Sequence, residues 1–187
     1  FFSIIFCFYQ IFYEFYNLLK KILKYKHKIY LFLFLFLILL FLTYLLSFLW
    51  FNFNSNNKLD KIFLLFLISI SISTDIGGFV FGKIFKGKKL TKISPNKTYS
   101  GMFGSYLVTT LVVYFLFKNY IDTQNLFIIA FYVCTISQLG DLFFSFLKRK
   151  AKLKDTGTIL PGHGGILDRF DGLIFVLTIG SFSKFFV

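Results

Sequence analysis

Residues 29–51 read IYLFLFLFLILLFLTYLLSFLWF, a run long enough to cross a bilayer as a helix and free of any charged side chain. Further predominantly apolar windows cover 1–19, 61–82, 101–117, 124–147 and 170–187. The expected fold class is therefore all-α: a polytopic helical membrane protein with about six transmembrane helices. Composition agrees. With 57% hydrophobic residues, 31 Phe in 187 positions and a mean hydropathy of +0.74, the chain has too little polar surface to cover a soluble globule. The length fits one integral membrane domain over 1–187. The chain opens on Phe1, inside an apolar stretch, so upstream residues are expected and the count of spans is a minimum.

The loops between these windows alternate in charge. Residues 20–28 carry Lys20, Lys21, Lys24, Lys26 and Lys28. Residues 83–100 carry Lys83, Lys86, Lys88, Lys89, Lys92 and Lys97, and 148–169 carry Lys148, Arg149, Lys150, Lys152, Lys154 and Arg169. The other loops hold little more than Lys58 with Asp60 and Lys118 with Asp122. By the positive-inside rule the three basic loops face the cytoplasm. The net charge of +13 therefore needs no nucleic-acid partner, because topology and anionic headgroups account for charge in short loops. A basic rim would also concentrate a nucleoside triphosphate and an acidic lipid.

Cys7 and Cys134 stand alone in apolar windows, without CxxC or His-rich neighbours, and are expected to be packing residues rather than a zinc site or a disulfide. His27 belongs to a lysine run. No cleavable signal peptide is expected, since the first apolar stretch lacks a basic lead and a small-residue cleavage site.

One segment breaks the apolar pattern most sharply: Ser145–Asp171, SFLKRKAKLKDTGTILPGHGGILDRFD. Cations and glycine amides can hold a polyphosphate, and carboxylates at helical spacing can hold the divalent ion that bridges it. Acidic residues are few, and one at membrane depth is costly unless paired or bound to a cation. Asp75, Asp141, Asp155, Asp168 and Asp171 form the candidate set. Glu14, Asp60 and Asp122 lie near span ends or in loops and call for no special role.

On a helix, Ser137, Gln138 and Ser145 share one face with Asp141. The plain alternative is a polar seam between helices. Asp168 and Asp171 stand three apart and repel unless a cation lies between them. Arg169 could supply that charge structurally, while a divalent metal with a further ligand from Asp141 is the sharper reading. PGHGG, residues 161–165, precedes the last window, where glycine amides and a helix N-terminus suit an anion. Upstream, Asp75 lies in its span beside Gly77 and Gly78, and Lys97 sits in SPNKT before the fourth window. Helix packing for Asp75 and membrane topology for Lys97 are the corresponding plain readings.

These residues carry a resemblance. The 145–171 string resembles the signature of the phosphatidate cytidylyltransferases, or CDP-diacylglycerol synthases, at Ser145, Lys148, Arg149, Lys154, Asp155, Gly157, Pro161, His163, Gly164, Gly165, Asp168, Arg169 and Asp171. The TD, GK, KL, SPNKT and QLGD elements extend it over about 74–172, which marks the catalytic region. The resemblance implies a polytopic, dimeric membrane enzyme; the expected location is the bacterial plasma membrane, with the basic loops and so the active site toward the cytoplasm. Such an enzyme converts CTP and phosphatidic acid into CDP-diacylglycerol and pyrophosphate with Mg²⁺. It also implies metal ligation by Asp141 and Asp168, with Asp171 nearby.

Lys148, Arg149, Lys154 and Arg169 would neutralise the leaving pyrophosphate. His163 would touch phosphate or orient a ligand, unless it only shapes the loop. Asp75, Lys97, Ser145, Asp155, Gly164 and Gly165 are the candidate substrate contacts. Two competing classes share the setting: a CTP-dependent lipid kinase, which would release CDP, and a channel, transporter or helical scaffold, which would use no nucleotide.

Overall fold

The computed structural model describes residues 2–23, 28–91, 93–159 and 164–183. Six helices follow one another: α1 (Phe2–Ile22), α2 (Lys28–Asn54), α3 (Lys58–Phe85), α4 (Tyr99–Phe117), α5 (Thr123–Lys150) and α6 (Leu167–Ser183). Among the described residues there is no strand, and an isolated bridge joins Lys89 to Thr98. Each helix coincides with an apolar window, and α2 to α5 stop at polar residues within about a turn of it. Asn57 Oδ1 accepts from the amide of Leu59 to start α3, and Thr98 Oγ1 accepts from Gly101 N to start α4. At the end of α3, Lys86 turns left-handed at φ 43° and donates its amide to Gly82 O.

The expected all-α polytopic architecture holds. Among the described residues four helical stretches are long and apolar enough to cross a membrane: Leu33–Asn54, Lys58–Phe85, Tyr99–Phe117 and Asn125–Lys150. Helix α1 carries Gln10, Glu14, Lys20 and Lys21, and α6 carries Asp168, Arg169 and Asp171 at its start. The outward faces are aromatic and aliphatic: Phe53, Phe79, Phe103, Phe115 and Ile128 are each more than 65% exposed. In water such a surface would aggregate, whereas acyl chains solvate it.

Inside, two apolar clusters hold the bundle. Phe66, Leu67, Ile70, Val113, Phe117, Leu126, Val133 and Cys134 join α3, α4 and α5. Ile11, Leu42, Leu45, Leu64, Phe144, Ile174 and Leu177 bring in α1, α2 and α6. Cys134 is thus a packing residue, as expected, and Cys7 is a half-buried free thiol. Helices in lipid gain little from hydrophobic burial against one another, so close backbone approach and interhelical hydrogen bonds take over. Helices α3 and α4 use both. A Cβ on Gly77 would stand 2.6 Å from Gly104 O, and one on Gly101 would stand 2.7 Å from Gly78 O. Alongside, Ser105 Oγ donates to Thr74 O at 2.7 Å. This tight pair fixes where Asp75 and the loop after α3 stand relative to α5.

Candidate active site

Basic segments meet at one end of the bundle. Between α3 and α4 the chain folds back on itself, with Leu90 N donating to Lys97 O at 2.7 Å and Tyr99 N to Lys88 O at 3.1 Å. Arg149, in the last turn of α5, donates from Nε to Ile93 O at 3.3 Å and ties this loop to the neighbouring helix. Lys97 is thereby turned inward. A cavity of about 210 Å³ lies beneath it between α3, α4 and α5, lined by Thr74, Asp75, Asn96, Lys97, Gln138 and Asp141 among others.

Lys97 Nζ stands 2.8 Å from Asp141 Oδ2, with side chains 29% and 14% exposed. The other oxygen, Asp141 Oδ1, is buried and has no hydrogen-bond partner, and the same is true of Ser137 Oγ one turn earlier on α5. Both point at Gly172 of α6, where a Cβ would lie 2.6 Å from Asp141 Oδ1 and 2.7 Å from Ser137 Oγ. Only glycine admits this approach. The Asp171 carboxyl comes within hydrogen-bonding reach of Asp141. Two ionised carboxylates so close repel until a proton or a cation is placed between them. Asp75, exposed toward the cavity, lies within the fields of Asp141, Lys97 and Arg169.

Asp168 is surrounded differently. Oδ1 accepts from Lys148 Nζ at 2.8 Å, with side chains 8% and 13% exposed for the acid and the lysine. Oδ2 accepts from Thr156 N at 2.8 Å and Gly165 N at 2.9 Å, and lies 3.1 Å from Thr156 Oγ1. Burial alone would raise this carboxyl, but the bonds from Lys148 and the two amides outweigh it and hold its pKa below the ordinary carboxylate range. Asp168 and Asp171 thus share a helix face, as their spacing predicts, but serve different partners: Lys148, Thr156 and Gly165 for one, Asp141 for the other.

The sequence reading offers the amides before α6 to a phosphate. In the structure Gly165 N goes to Asp168, while Ile166 N and Leu167 N go to Glu14, each at 2.9 Å. Glu14 is therefore a correction. Set aside as a residue near a span end, it is 1% exposed and bonded to the start of α6. Its signal in the sequence is an acid inside an apolar window with Gln10 one turn before it. Gln10 Nε2 indeed donates to it at 3.3 Å.

Of the remaining candidates, Arg149, Lys154, Asp155 and Arg169 are exposed at this same end, and Ser145 is half-buried one turn beyond Asp141. Gly164 adopts φ +83°, a conformation that favours glycine, and a Cβ there would lie 2.8 Å from Asp168 Oδ2. His163, Pro161 and Gly162 lie outside the described residues.

The donor set at Asp141 fits a hard divalent cation such as Mg²⁺. An unpartnered carboxylate oxygen, an unpartnered hydroxyl and a second carboxylate converge there. Among the described residues no group of three or more His, Cys, Asp or Glu gathers. Phosphate oxygens and water would complete the coordination, as is usual for Mg²⁺.

The family model described as the cytidylyltransferase family matches residues 1–186. Among curated proteins, the chain is similar to the phosphatidate cytidylyltransferase of Rickettsia bellii, 41% identical over 135 residues that cover 67% of this chain and 58% of the relative. The protein of that name from Rickettsia conorii is 43% identical over 136 residues, 67% of this chain and 58% of the relative. That from Staphylococcus epidermidis is 43% identical over 122 residues, 63% of this chain and 46% of the relative. The chain thus spans about half the length of these relatives.

Proposed function

Because the chain belongs to the cytidylyltransferase family, we propose that it is the membrane-embedded catalytic part of a CTP:phosphatidate cytidylyltransferase, making CDP-diacylglycerol and pyrophosphate. The relatives' names supply the substrate class. The observation that carries the reading in this chain is the joint between α5 and α6. There an unpartnered Asp141 oxygen points at Gly172, with the Asp171 carboxyl within hydrogen-bonding reach of Asp141, beside a cavity and with Lys97 and Lys148 each held by a carboxylate.

A phosphate oxygen of phosphatidate attacks the α-phosphorus of CTP. The new bond completes the P–O–P link of the liponucleotide, and the bond that breaks joins the α-phosphorus to the oxygen carried away by pyrophosphate. The nucleophile is already an anion, so no protein base is required. The chain's task is to bring anions together and to meet the charge that builds on the leaving group.

Lys97 and Lys148 suit that task, since each is held by a carboxylate that a phosphate oxygen can replace. Asp141, with Asp171 beside it, would hold Mg²⁺. Asp168 would join them only when Lys148 leaves Oδ1 for a substrate phosphate. Bound there, Mg²⁺ would supply charge neutralisation across the phosphates. Arg149, Lys154 and Arg169 draw the anions to the rim, and His163, Ser145, Asp155 and Gly164 complete the contacts to them. The basic end faces the cytoplasm of a bacterial plasma membrane, where CTP is.

Liposomes containing the full chain test this reading. With Mg²⁺, labelled CTP and phosphatidic acid, pyrophosphate and a liponucleotide should form together, and neither should form without the lipid. CDP and a phosphorylated lipid would refute the reading in favour of a kinase.

A further inference from the structure

We infer that Glu14 of α1 is a positioning residue of this site: its carboxylate fixes the start of α6, and through Thr156 and Asp168 it fixes where Lys148 stands. Four donors from three parts of the chain converge on it. Oε1 accepts from Ile166 N at 2.9 Å and Gln10 Nε2 at 3.3 Å, and Oε2 accepts from Leu167 N at 2.9 Å and Thr156 Oγ1 at 2.6 Å. Among the described residues no lysine or arginine pairs with it. The charge is instead met by the buried amides at the start of α6 and the positive end of its dipole.

The surroundings are shaped for this group. A Cβ on Gly157 would lie 2.9 Å from Glu14 Oε1, and one on Gly165 would collide with the carboxylate. Two glycines of the 145–171 segment are therefore explained by a residue more than a hundred positions upstream. Thr156 links the acids, its hydroxyl 2.6 Å from Glu14 Oε2 and 3.1 Å from Asp168 Oδ2 while its amide donates to Asp168 at 2.8 Å. The chain of contacts runs Glu14, Thr156, Asp168, Lys148. Consequently the N-terminus of α6 serves the protein's own carboxylates, and α1 belongs to the machinery of the site without touching the substrate.

An uncharged amide cannot replace this carboxylate. Glu14→Gln offers one acceptor oxygen where two are used, so at least one of Ile166 N, Leu167 N and Thr156 Oγ1 loses its partner. The kinetic half of the inference rests on the cytidylyltransferase reading, and the structural half does not. In liposomes, Glu14→Gln should lower kcat for pyrophosphate release by about 10- to 100-fold with KM for CTP changed little, the pattern of a misplaced group rather than a lost contact. Glu14→Asp, which keeps the charge, should recover part of the loss. Thr156→Val, which removes only the shared hydroxyl, should reproduce a milder form of the same kcat defect.

Amide hydrogen exchange on the same samples gives a readout that needs no activity. Exchange at 156–168 should quicken in Glu14→Gln while the α3–α4 pair stays protected. Wild-type kcat in Glu14→Gln would overturn the inference, as would a loss explained by protein that is loosened throughout. If Glu14→Gln does not fold, an unchanged kcat in Thr156→Val overturns it. If the wild-type chain makes no pyrophosphate, the functional reading fails by itself, and unchanged exchange at 156–168 in the variant would then overturn the positioning role separately.

Discussion

Two ion pairs of the same length, 2.8 Å, stand at one end of this bundle: Lys97 with Asp141, and Lys148 with Asp168. Their surroundings separate them. Asp168 has both oxygens supplied, by the lysine on one side and by Thr156 and Gly165 on the other. Asp141 spends one oxygen on its lysine and keeps the other buried and unpartnered, beside Ser137 in the same state and the Asp171 carboxyl. A carboxylate whose lone pairs are all met holds architecture together, because releasing it exposes several donors at once. One with an unmet oxygen is destabilised as it stands and gains when a cation arrives.

This contrast predicts that two chemically identical substitutions, both costly to turnover, differ in what they do to stability. The sequence alone expects Asp141→Asn and Asp168→Asn each to stop Mg²⁺-dependent turnover in protein that still inserts normally. The geometry keeps that expectation for the first and revises it for the second. Asp168→Asn should cost both turnover and about 3 kcal/mol or more of stability, as when one member of a buried pair is removed, seen as a large drop in the unfolding midpoint in detergent. An unchanged midpoint would make the two acids equivalent. Asp141→Asn should lower turnover on the order of 10³-fold at saturating Mg²⁺ while the midpoint holds, because the charge it removes is the poorly compensated one.

Smaller effects sharpen the same contrast. Gly172→Ala would push a methyl toward the Asp141 and Ser137 oxygens and should cost roughly 1–3 kcal/mol of stability as overpacking, together with cation affinity. If only the midpoint moves, the space in front of Asp141 is mere packing. At the bottom of the scale, Asp122 stands at the head of α5 without a side-chain capping bond. Asp122→Ala should shift stability by less than about 0.5 kcal/mol and leave turnover alone.

The helices were legible because hydropathy marks them directly. The window 29–51 became Lys28–Asn54 and 124–147 became Thr123–Lys150. The local polar grouping was legible too: Ser137 with Asp141 on α5, and Asp168 with Asp171 on α6. Partner choice was not, because it depends on which helix faces which. Spacing puts Asp168 and Asp171 on one face, yet only the α5–α6 packing sends one to Lys148 and the other toward Asp141. Glu14 escaped for the same reason. Nothing local in α1 indicates that the head of α6, more than a hundred residues later, will lie against it. The close approach of Gly77 and Gly101 to the opposite backbones likewise exists only once α3 and α4 are paired.

The most direct test of the account is Mn²⁺ binding, followed by electron paramagnetic resonance in the presence of CTP, for the wild-type chain and for Asp141→Asn. The wild type should bind the ion, and the variant should bind it at least about tenfold more weakly at an unchanged unfolding midpoint. Equal affinity in the two would contradict the claim that the unpartnered oxygen of Asp141 is where the cation is held.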